Sequence, residues 1–485
     1  MDPHIAAFGG GAEHSYLNPY VLTLLLLAGI FIIFLSRRWA LAAMLTVGIL
    51  IPMDQVLVIA GFHFQSIRIL ILWGFIRMLR EKFGGNKEIL SGGMNKIDKA
   101  VIFFSIFTFI DGMLLWREFG ELNFQFGNMY TAFGLYFLMR FLIREEADVR
   151  TTIRTLAYVS AFVAVLAIYE RSTGYNMVYN VLNGARAATF AKQFGTDDRI
   201  RAAVSFGHPI LAGTYGAIIL PMFVGLWWRY KTDRKVALLG VLAAFTIAVC
   251  ANSSTSLMGL IAGLLGLFMW PARKLLRTIR WGIVILLISL HMVMKAPVWA
   301  LISRIDLTGG SSSDHRYEVL NQCIIHFTSW FMWGTKDYAT WGWSMYDLGN
   351  QYVFVADTAG LIPLICFLAI IVMGFKYLGS ARKAAEENGE KSEALYLWAL
   401  SAMLFANVVA YFGISYFDQT QMIWYAQLAI ISAATLGGLA HRMRRSQPMP
   451  AKIPLGQTRL QPQGANRATE AEKPNRPLPR PFVRA

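Results

Sequence analysis

Two arginines and a histidine precede one of the long apolar runs of this chain. Arg199 and Arg201 are followed by His208 and Pro209, which stand directly before the run. Proline suits the first turn of a helix, and the free N–H groups of a helix N-terminus favour a bound anion. Because a guanidinium also matches phosphate oxygens, these residues predict a site for a phosphate group, with lipid headgroups at the membrane interface as the alternative.

A second group of polar residues lies further along the chain. The string Asp-His-Arg-Tyr-Glu contains His315, Arg316 and Glu318, and a later apolar run contains Asp357. An ionisable group inside a predicted membrane span is costly and usually faces a polar cavity. We therefore predict a functional role for Asp357, and an ion pair with Arg68 is the structural alternative.

The composition indicates that lipid is the solvent of this chain. Of 485 residues, 56% are hydrophobic and 15% are charged, whereas soluble domains carry about 25% charged residues. The formal net charge of +16 is expected from basic cytoplasmic loops and contact with anionic lipids. We expect no nucleic-acid partner, because no basic helix occurs in a soluble stretch. We also expect no metal or other cofactor and no cleavable signal peptide.

Apolar runs long enough to cross a bilayer as helices determine the predicted fold. We predict an all-α polytopic membrane protein with 12 to 13 transmembrane helices, because the second and third runs are short enough to form one re-entrant pair. The 13 runs are Tyr20–Leu35, Trp39–Ile51, Ile67–Leu79, Ala100–Leu115, Met129–Ile143, Leu156–Tyr169, Ile210–Trp228, Val236–Ala251, Leu257–Trp270, Trp281–Met294, Tyr352–Met373, Leu395–Phe412 and Ile423–Leu439.

Basic residues follow every second apolar run. The breaks after the odd-numbered runs are rich in Lys and Arg, whereas two other breaks, at about 170–209 and 297–350, are long and chemically varied. Because positively charged loops stay in the cytoplasm, the two long loops are predicted to lie on the non-cytoplasmic face, which is the periplasm if the membrane is a bacterial inner membrane. The C-terminus is then cytoplasmic, and the side of the N-terminus depends on the number of spans.

The domain organisation follows from these breaks. Residues 446–485 are rich in proline and basic residues and hold few apolar ones, so they are predicted to form a disordered cytoplasmic tail. The N-terminal segment is predicted at 1–19, and transmembrane helices are predicted at 20–169, 210–294 and 351–440. The first long periplasmic loop is predicted at 170–209 and the second long periplasmic loop at 295–350.

The second long loop is predicted to carry a helix. Its apolar residues recur at helical spacing, which predicts a helix over Tyr317–Phe331 lying along the membrane surface. Tryptophans at this surface are typical of the membrane interface, although in a glycan-handling protein they could stack on sugar rings. They are Trp330, Trp333, Trp341 and Trp343.

The order of these motifs resembles a known family. The string RAAVSFGHPILAG before an apolar run, followed later by Asp-His-Arg, Asn-Gln-Tyr and Asp-Thr-Ala-Gly-Leu, resembles O-antigen ligases and Wzy-type O-antigen or exopolysaccharide polymerases. The resemblance covers about residues 195–375. It implies a glycosyltransferase of the GT-C architecture, with a glycan on undecaprenyl pyrophosphate as donor and a sugar hydroxyl as acceptor. The implied reaction is inverting and metal-independent.

The resemblance also implies roles for individual residues. Arg201 and Arg316 match the family arginines that engage the lipid-linked pyrophosphate. Fixed arginines would stabilise the charge that grows on this leaving group. Further candidates for binding this substrate are Arg199, His208, Asn350 and Arg68.

Other matches concern the acceptor side. Asn350 matches the asparagine of a family His-Asn pair, and Asp357 matches an acidic position. The usual histidine of that pair is Gly349 here, and this departure fits the polymerases better than the ligases. The acceptor hydroxyl needs a proton acceptor. Asp357 is the first candidate, and the others are His315, Glu318 and His208.

Three functions are compatible with this pattern. The first is polymerisation of lipid-linked repeat units, the second is ligation of finished glycan to a lipid core or protein, and the third is a flippase or other carrier for lipid-linked glycan. Polar residues concentrate at outer loops rather than at the middle of the spans, which favours an enzyme. Expected partners are the glycan donor and acceptor, membrane lipids, a chain-length regulator and a flippase.

Overall fold

A computed structural model describes residues 15–59, 62–85, 89–182, 200–304 and 312–446 of the chain. Arg199, most of the N-terminal segment and the predicted disordered tail beyond residue 446 lie outside the described residues.

Helices form most of the described chain. Each predicted apolar run lies within a helix to within two residues, except for Tyr352–Met373, which is broken at Gly360. The helices are α1 Pro19–Phe34, α2 Arg37–Leu50, α3 Ser66–Phe83, α4 Lys96–Trp116, α5 Phe119–Leu142, α6 Glu146–Thr173, α7 Met177–Leu182, α8 Pro209–Arg229, α9 Arg234–Cys250, α10 Ser254–Phe268, α11 Leu276–Val293, α12 Ser312–Ile325, α13 Phe327–Trp330, α14 Gln351–Ala359, α15 Leu361–Glu387, α16 Lys391–Ala410 and α17 Asp418–Ser446.

Six of the helices in the described ranges are long and apolar enough to cross a membrane. The other apolar helices are shorter or more polar, so the count of 12 to 13 spans stays a prediction. No residue of α11 is buried, which leaves its whole circumference available to lipid. The chain is therefore a mostly helical protein with several helices suited to a bilayer.

Gly360 interrupts the predicted span Tyr352–Met373. Its backbone lies in the left-handed half of conformational space, with φ 86°, where glycine is favoured. A β-carbon at this position would also lie 2.7 Å from the carbonyl oxygen of Met332. The run therefore forms two helices, α14 and α15, and α14 is free to lie against the second loop.

A two-stranded hairpin between α2 and α3 was not predicted. Strand β1, Val56–Ile59, pairs antiparallel with β2, Phe62–Gln65, and Val56 lies opposite Gln65. Both strands are rich in β-branched and aromatic residues, which suit a pleated surface. The second and third apolar runs are thus separate helices joined by this hairpin, and the all-α prediction needs this one exception.

The helix predicted over Tyr317–Phe331 is divided in two. The structure places α12 five residues earlier, at Ser312–Ile325, and His326 separates it from the short α13. Apolar residues of this region form a second, small core: Val319, Cys323, Trp330, Met345, Leu348, Val353 and Ala356.

Ion pairs join the predicted cytoplasmic breaks to one another. Charged residues after the first, fifth, seventh, ninth and eleventh apolar runs contact each other at one end of the helices, which we call the basic end. The pairs are Arg37–Asp148 at 2.7 Å, Arg150–Asp233 at 2.6 Å, Arg229–Glu393 at 2.7 Å and Arg273–Glu386 at 2.6 Å. The breaks predicted to share one side of the membrane are therefore neighbours in space.

Candidate functional site

The two long loops meet at the opposite end of the helices. Helix α8 has 21 residues and is about 30 Å long. It ends at Arg229, which belongs to the basic end, and it begins after His208. His208 therefore marks the other end, which we call the loop end.

Arg201 is held against the turn between α9 and α10. The backbone N–H of Ala202 donates to the carbonyl of Cys250 at 3.1 Å, and Nε of Arg201 donates to the carbonyl of Ala251 at 3.4 Å. Burial lowers the pKa of the guanidinium from its usual value, and it stays a cation at neutral pH. Within the described ranges, no carboxylate forms an ion pair with Arg201.

Arg316 reaches the same turn from α12. Its side chain is buried, and Nη2 donates to Oγ1 of Thr255 at 3.0 Å. The Thr255 hydroxyl in turn donates to the carbonyl of Gly413 at 3.1 Å. Gly413 lies so close to Thr255 that a β-carbon would clash with its side chain. Arg316 is thus fixed by a chain of contacts that continues to the segment before α17.

The turn between the two arginines begins a helix. Asn252 adopts φ 46°, a left-handed conformation that asparagine tolerates better than most residues. Ser253 is the N-cap of α10, but its side chain makes no capping hydrogen bond. The first N–H groups of a helix carry a partial positive charge. Two guanidinium groups and a helix N-terminus therefore lie together, an arrangement suited to an anion. We call Arg201, Arg316 and residues 251–255 the arginine site.

Glu170 positions the segment that carries Arg201. Its buried carboxylate accepts from the backbone N–H of Val204 at 2.7 Å and from Nδ2 of Asn176 at 2.9 Å. Val204 has φ 56°, a conformation that is costly for a β-branched residue. The Glu170 carboxylate stabilises this strained backbone next to the arginine site.

Arg171 is a candidate that the sequence analysis missed. Its Nη1 atom is buried and has no hydrogen-bond partner among the described residues. The charge of Arg171 acts on the Cys250 thiol, directly before the turn of the arginine site. The sequence does contain a signal for Arg171. Basic residues usually follow spans on the cytoplasmic side, and Arg171 follows a span at its predicted periplasmic end.

His208 serves as a helix cap. Its Nδ1 accepts from the backbone N–H of Ile210 at 3.0 Å. Burial, assisted by the charge of Arg201, lowers the pKa of His208 to about 3. The imidazole is therefore neutral at physiological pH, which argues against the predicted role in binding an anion by charge. A base this weak is also a poor proton acceptor.

We expect His208→Ala to destabilise the protein by about 1 kcal/mol, because it removes the cap of α8. His208→Asn should retain most of the stability, since asparagine also caps helices. The low pKa adds a pH dependence: the unfolded chain binds a proton below about pH 6.5, so stability should fall as the pH drops from about 6.5 towards 3. Thermal unfolding in detergent between pH 7.5 and 4.5 tests both points. A wild-type acid dependence that persists in His208→Asn would contradict the assignment.

Asn350 and His315 connect the second loop to the same region. Oδ1 of Asn350 accepts from the N–H groups of Tyr352 and Val353 and so caps α14. Its Nδ2 is buried and has no partner in the described part of the chain. His315, beside Arg316, contacts the carbonyl of Asp347 through Nε2 at 2.8 Å. The two residues hold the end of the loop next to the arginine site.

Asp357 lies apart from the arginines. Its carboxylate is fully buried beside the Cys323 thiol, and no nitrogen or oxygen of the described residues donates a hydrogen bond to it. Cys323 is two turns beyond Arg316 on α12, about 10 Å along the helix. Residues seven apart share a helix face, so Cys323 and Arg316 lie on the same side of α12. Asp357, beside Cys323, is therefore on that side as well.

Arg68 is engaged elsewhere. Its guanidinium donates to the carbonyl of His63 at 2.8 Å and to Oγ1 of Thr131 at 3.1 Å. The ion pair between Arg68 and Asp357, considered from the sequence, is not formed among the described residues. The hairpin and α5 already satisfy this guanidinium, which explains the difference.

No set of three metal-binding side chains comes together in the described ranges. Neither protein-family models nor curated proteins match the chain. The arginine site and the loops around it are therefore the features from which a function can be proposed.

Proposed function

We propose that this protein is a membrane glycosyltransferase that polymerises oligosaccharide repeat units carried on undecaprenyl pyrophosphate. One observation carries the proposal: Arg201 and Arg316, from two different long loops, donate to the same turn at the N-terminus of α10. The basic end opposite favours a site at the periplasmic face of a bacterial inner membrane.

The chemistry of the leaving group matches this site. When the bond between the sugar and the pyrophosphate breaks, negative charge grows on the phosphate oxygens. Arg201 and Arg171 have no carboxylate counter-ion among the described residues, so their charge is available to an anionic ligand. Fixed guanidinium groups stabilise such charge without reorganising when the reaction occurs. The arginines would supply this stabilisation without a metal, and the inverting course of the proposed reaction is what the family resemblance implies.

The acceptor hydroxyl must lose a proton to a side chain on the other side of the sugar. Asp357 is our candidate, because it lies on the Arg316 side of α12 and no nitrogen or oxygen of the described residues donates a hydrogen bond to its carboxylate. Glu318 is two residues from Arg316 and projects from a different side of the helix. His315 already contacts a loop carbonyl.

Asp357→Asn should slow polymerisation at least about 100-fold, as expected for loss of a general base. Asparagine has nearly the same shape, so expression should persist. The rate is measured with lipid-linked repeat units and purified protein in nanodiscs. Asp337→Asn, which changes a carboxylate of the second loop with no described side-chain hydrogen bond, is the control. Full activity of Asp357→Asn would leave Asp357 a structural role.

Glycan profiles of a deletion strain test the proposed function against its alternatives. Loss of a polymerase should leave single repeat units on the carrier or on the final acceptor. Loss of a ligase should leave long chains on the carrier lipid, and loss of a flippase should leave repeat units on the cytoplasmic side. Either of the last two profiles would contradict the proposal.

A further inference from the structure

The segment Asp337–Asn350, which we call the aromatic loop, has an unusual composition. It holds Tyr338, Trp341, Trp343 and Tyr346 together with two aspartates, and it contains no lysine or arginine. Aromatic anchors in bacterial membranes usually stand near basic residues, which are attracted to anionic headgroups. Lys336 directly precedes the loop, but its ammonium lies over the ring of Trp116, 4.6 Å from the ring centroid. The loop itself offers two carboxylates and no cation, which suits an anionic surface poorly.

The aromatic loop is firmly attached to α12. Met345 and Leu348 are 0% and 4% exposed and pack in the small core with Val319. The carbonyl of Asp347 contacts His315, and Gly342 lies directly against the carboxylate of Glu318. The loop is thus held in place on the helix that carries Arg316.

Two aromatic rings of this loop face away from the core. Trp343 is 78% exposed and Tyr346 is 66% exposed, and neither ring stacks on another aromatic ring among the described residues. Ser344 between them has φ 60°, a strained conformation that tends to occur at functional sites. By contrast, Trp341 is stacked on His326, with ring centroids 4.3 Å apart.

We infer that Trp343 and Tyr346 form a binding platform for the glycan that enters the reaction. This inference rests on the proposed function and adds the substrate contact that would select the sugar. The face of an aromatic ring packs well against the C–H groups of a sugar. The carboxylates of Glu318 and Asp347 can accept hydrogen bonds from sugar hydroxyls. A glycan on the platform would lie near the arginine site. Tyr346 is next to Asp347, and the carbonyl of Asp347 contacts His315, the residue before Arg316.

The test uses the free repeat-unit oligosaccharide of the source strain, released from its lipid carrier by mild acid. Binding to the full-length protein in nanodiscs is followed by saturation-transfer NMR. Trp343→Ala should weaken binding about tenfold, and Tyr346→Ala should act in the same direction. Trp343→Phe should restore most of the binding because it keeps an aromatic face. Trp39→Ala is the matched control, since Trp39 is 66% exposed in α2, beside the basic end.

The outcomes separate this inference from the proposed function. Normal oligosaccharide binding by Trp343→Ala would overturn the inference, even if the arginine variants fail to polymerise. Loss of binding in Trp343→Ala with normal polymerisation by the Arg201 and Arg316 variants would retain the platform and remove the arginine site from the mechanism. Loss of binding in Trp343→Ala, together with the glycan profile of a ligase or flippase in the deletion strain, would retain the platform and reject the polymerase. Strong quenching of Trp343 fluorescence by brominated lipids, measured against Trp343→Phe, would identify a membrane anchor and overturn the platform.

Discussion

Arg316→Lys and Arg201→Lys should each reduce the rate of chain extension at least about 100-fold, while the protein is still inserted and folded. Lysine keeps the positive charge but loses the planar fork that binds two phosphate oxygens at once. The loss is expected in the transition state, where the charge on the pyrophosphate grows. The measurement is polymer length in cells and the initial rate in nanodiscs.

Arg117→Ala provides a matched control for the arginine variants. Arg117 is an exposed arginine at the end of α4, and its Nε donates to the carbonyl of Leu114 at 3.0 Å. This variant should extend chains normally. Polymer of normal length in both lysine variants would remove the arginine site from the mechanism. Arg171→Gln should give a smaller loss, because the Arg171 side chain makes no described contact with the turn itself.

Arg140→Met should destabilise the protein by about 3–5 kcal/mol, the usual effect of removing one partner of a buried ion pair. Nε of Arg140 donates to Asp98 at 3.0 Å, and both side chains are 0% exposed. Tyr136 also donates to this carboxylate. Without the guanidinium, a carboxylate would be left buried with its charge uncompensated. Size-exclusion profiles and thermal unfolding in detergent measure the effect.

A second substitution separates the lost charge from lost packing. Asp98→Asn combined with Arg140→Met should recover part of the stability, since no uncompensated charge remains. Arg38→Met is the surface control, because Arg38 is 54% exposed and its pairs with Glu145 and Asp148 are long, at 3.6 and 3.7 Å. Its effect should stay below about 1 kcal/mol. A mild phenotype for Arg140→Met alone would show that the pair contributes little to stability.

Local patterns predicted most helices of this chain. Hydropathy over about 20 residues depends only on neighbours in sequence, so the run Ile210–Trp228 lies within α8, which begins at Pro209 as expected. The break at Gly360 was not predicted. That glycine is required by the approach of the Met332 carbonyl, a contact between segments that hydropathy does not register.

The arginine site was only partly predictable. Residue chemistry predicted that Arg201 can bind phosphate, and the family resemblance added Arg316. Their common turn at Ala251–Thr255 depends on how α9, α10 and α12 pack. Arg171 belongs to the end of α6 and becomes a candidate only because its Nη1 atom is buried without a described partner and its charge acts on Cys250.

The sequence by itself determined that this is a helical chain suited to lipid and that its basic breaks belong together, and it predicted that its chemistry lies in two long loops. These properties follow from hydropathy and charge, which act over short stretches of chain. Only the tertiary structure decided that His208 is a neutral cap, that Arg68 is satisfied by the hairpin and α5, and that Asp357 lies beside Cys323, two turns along α12 from Arg316. Such facts depend on burial and on contacts between distant segments, because these set the charge state and the partners of each polar group.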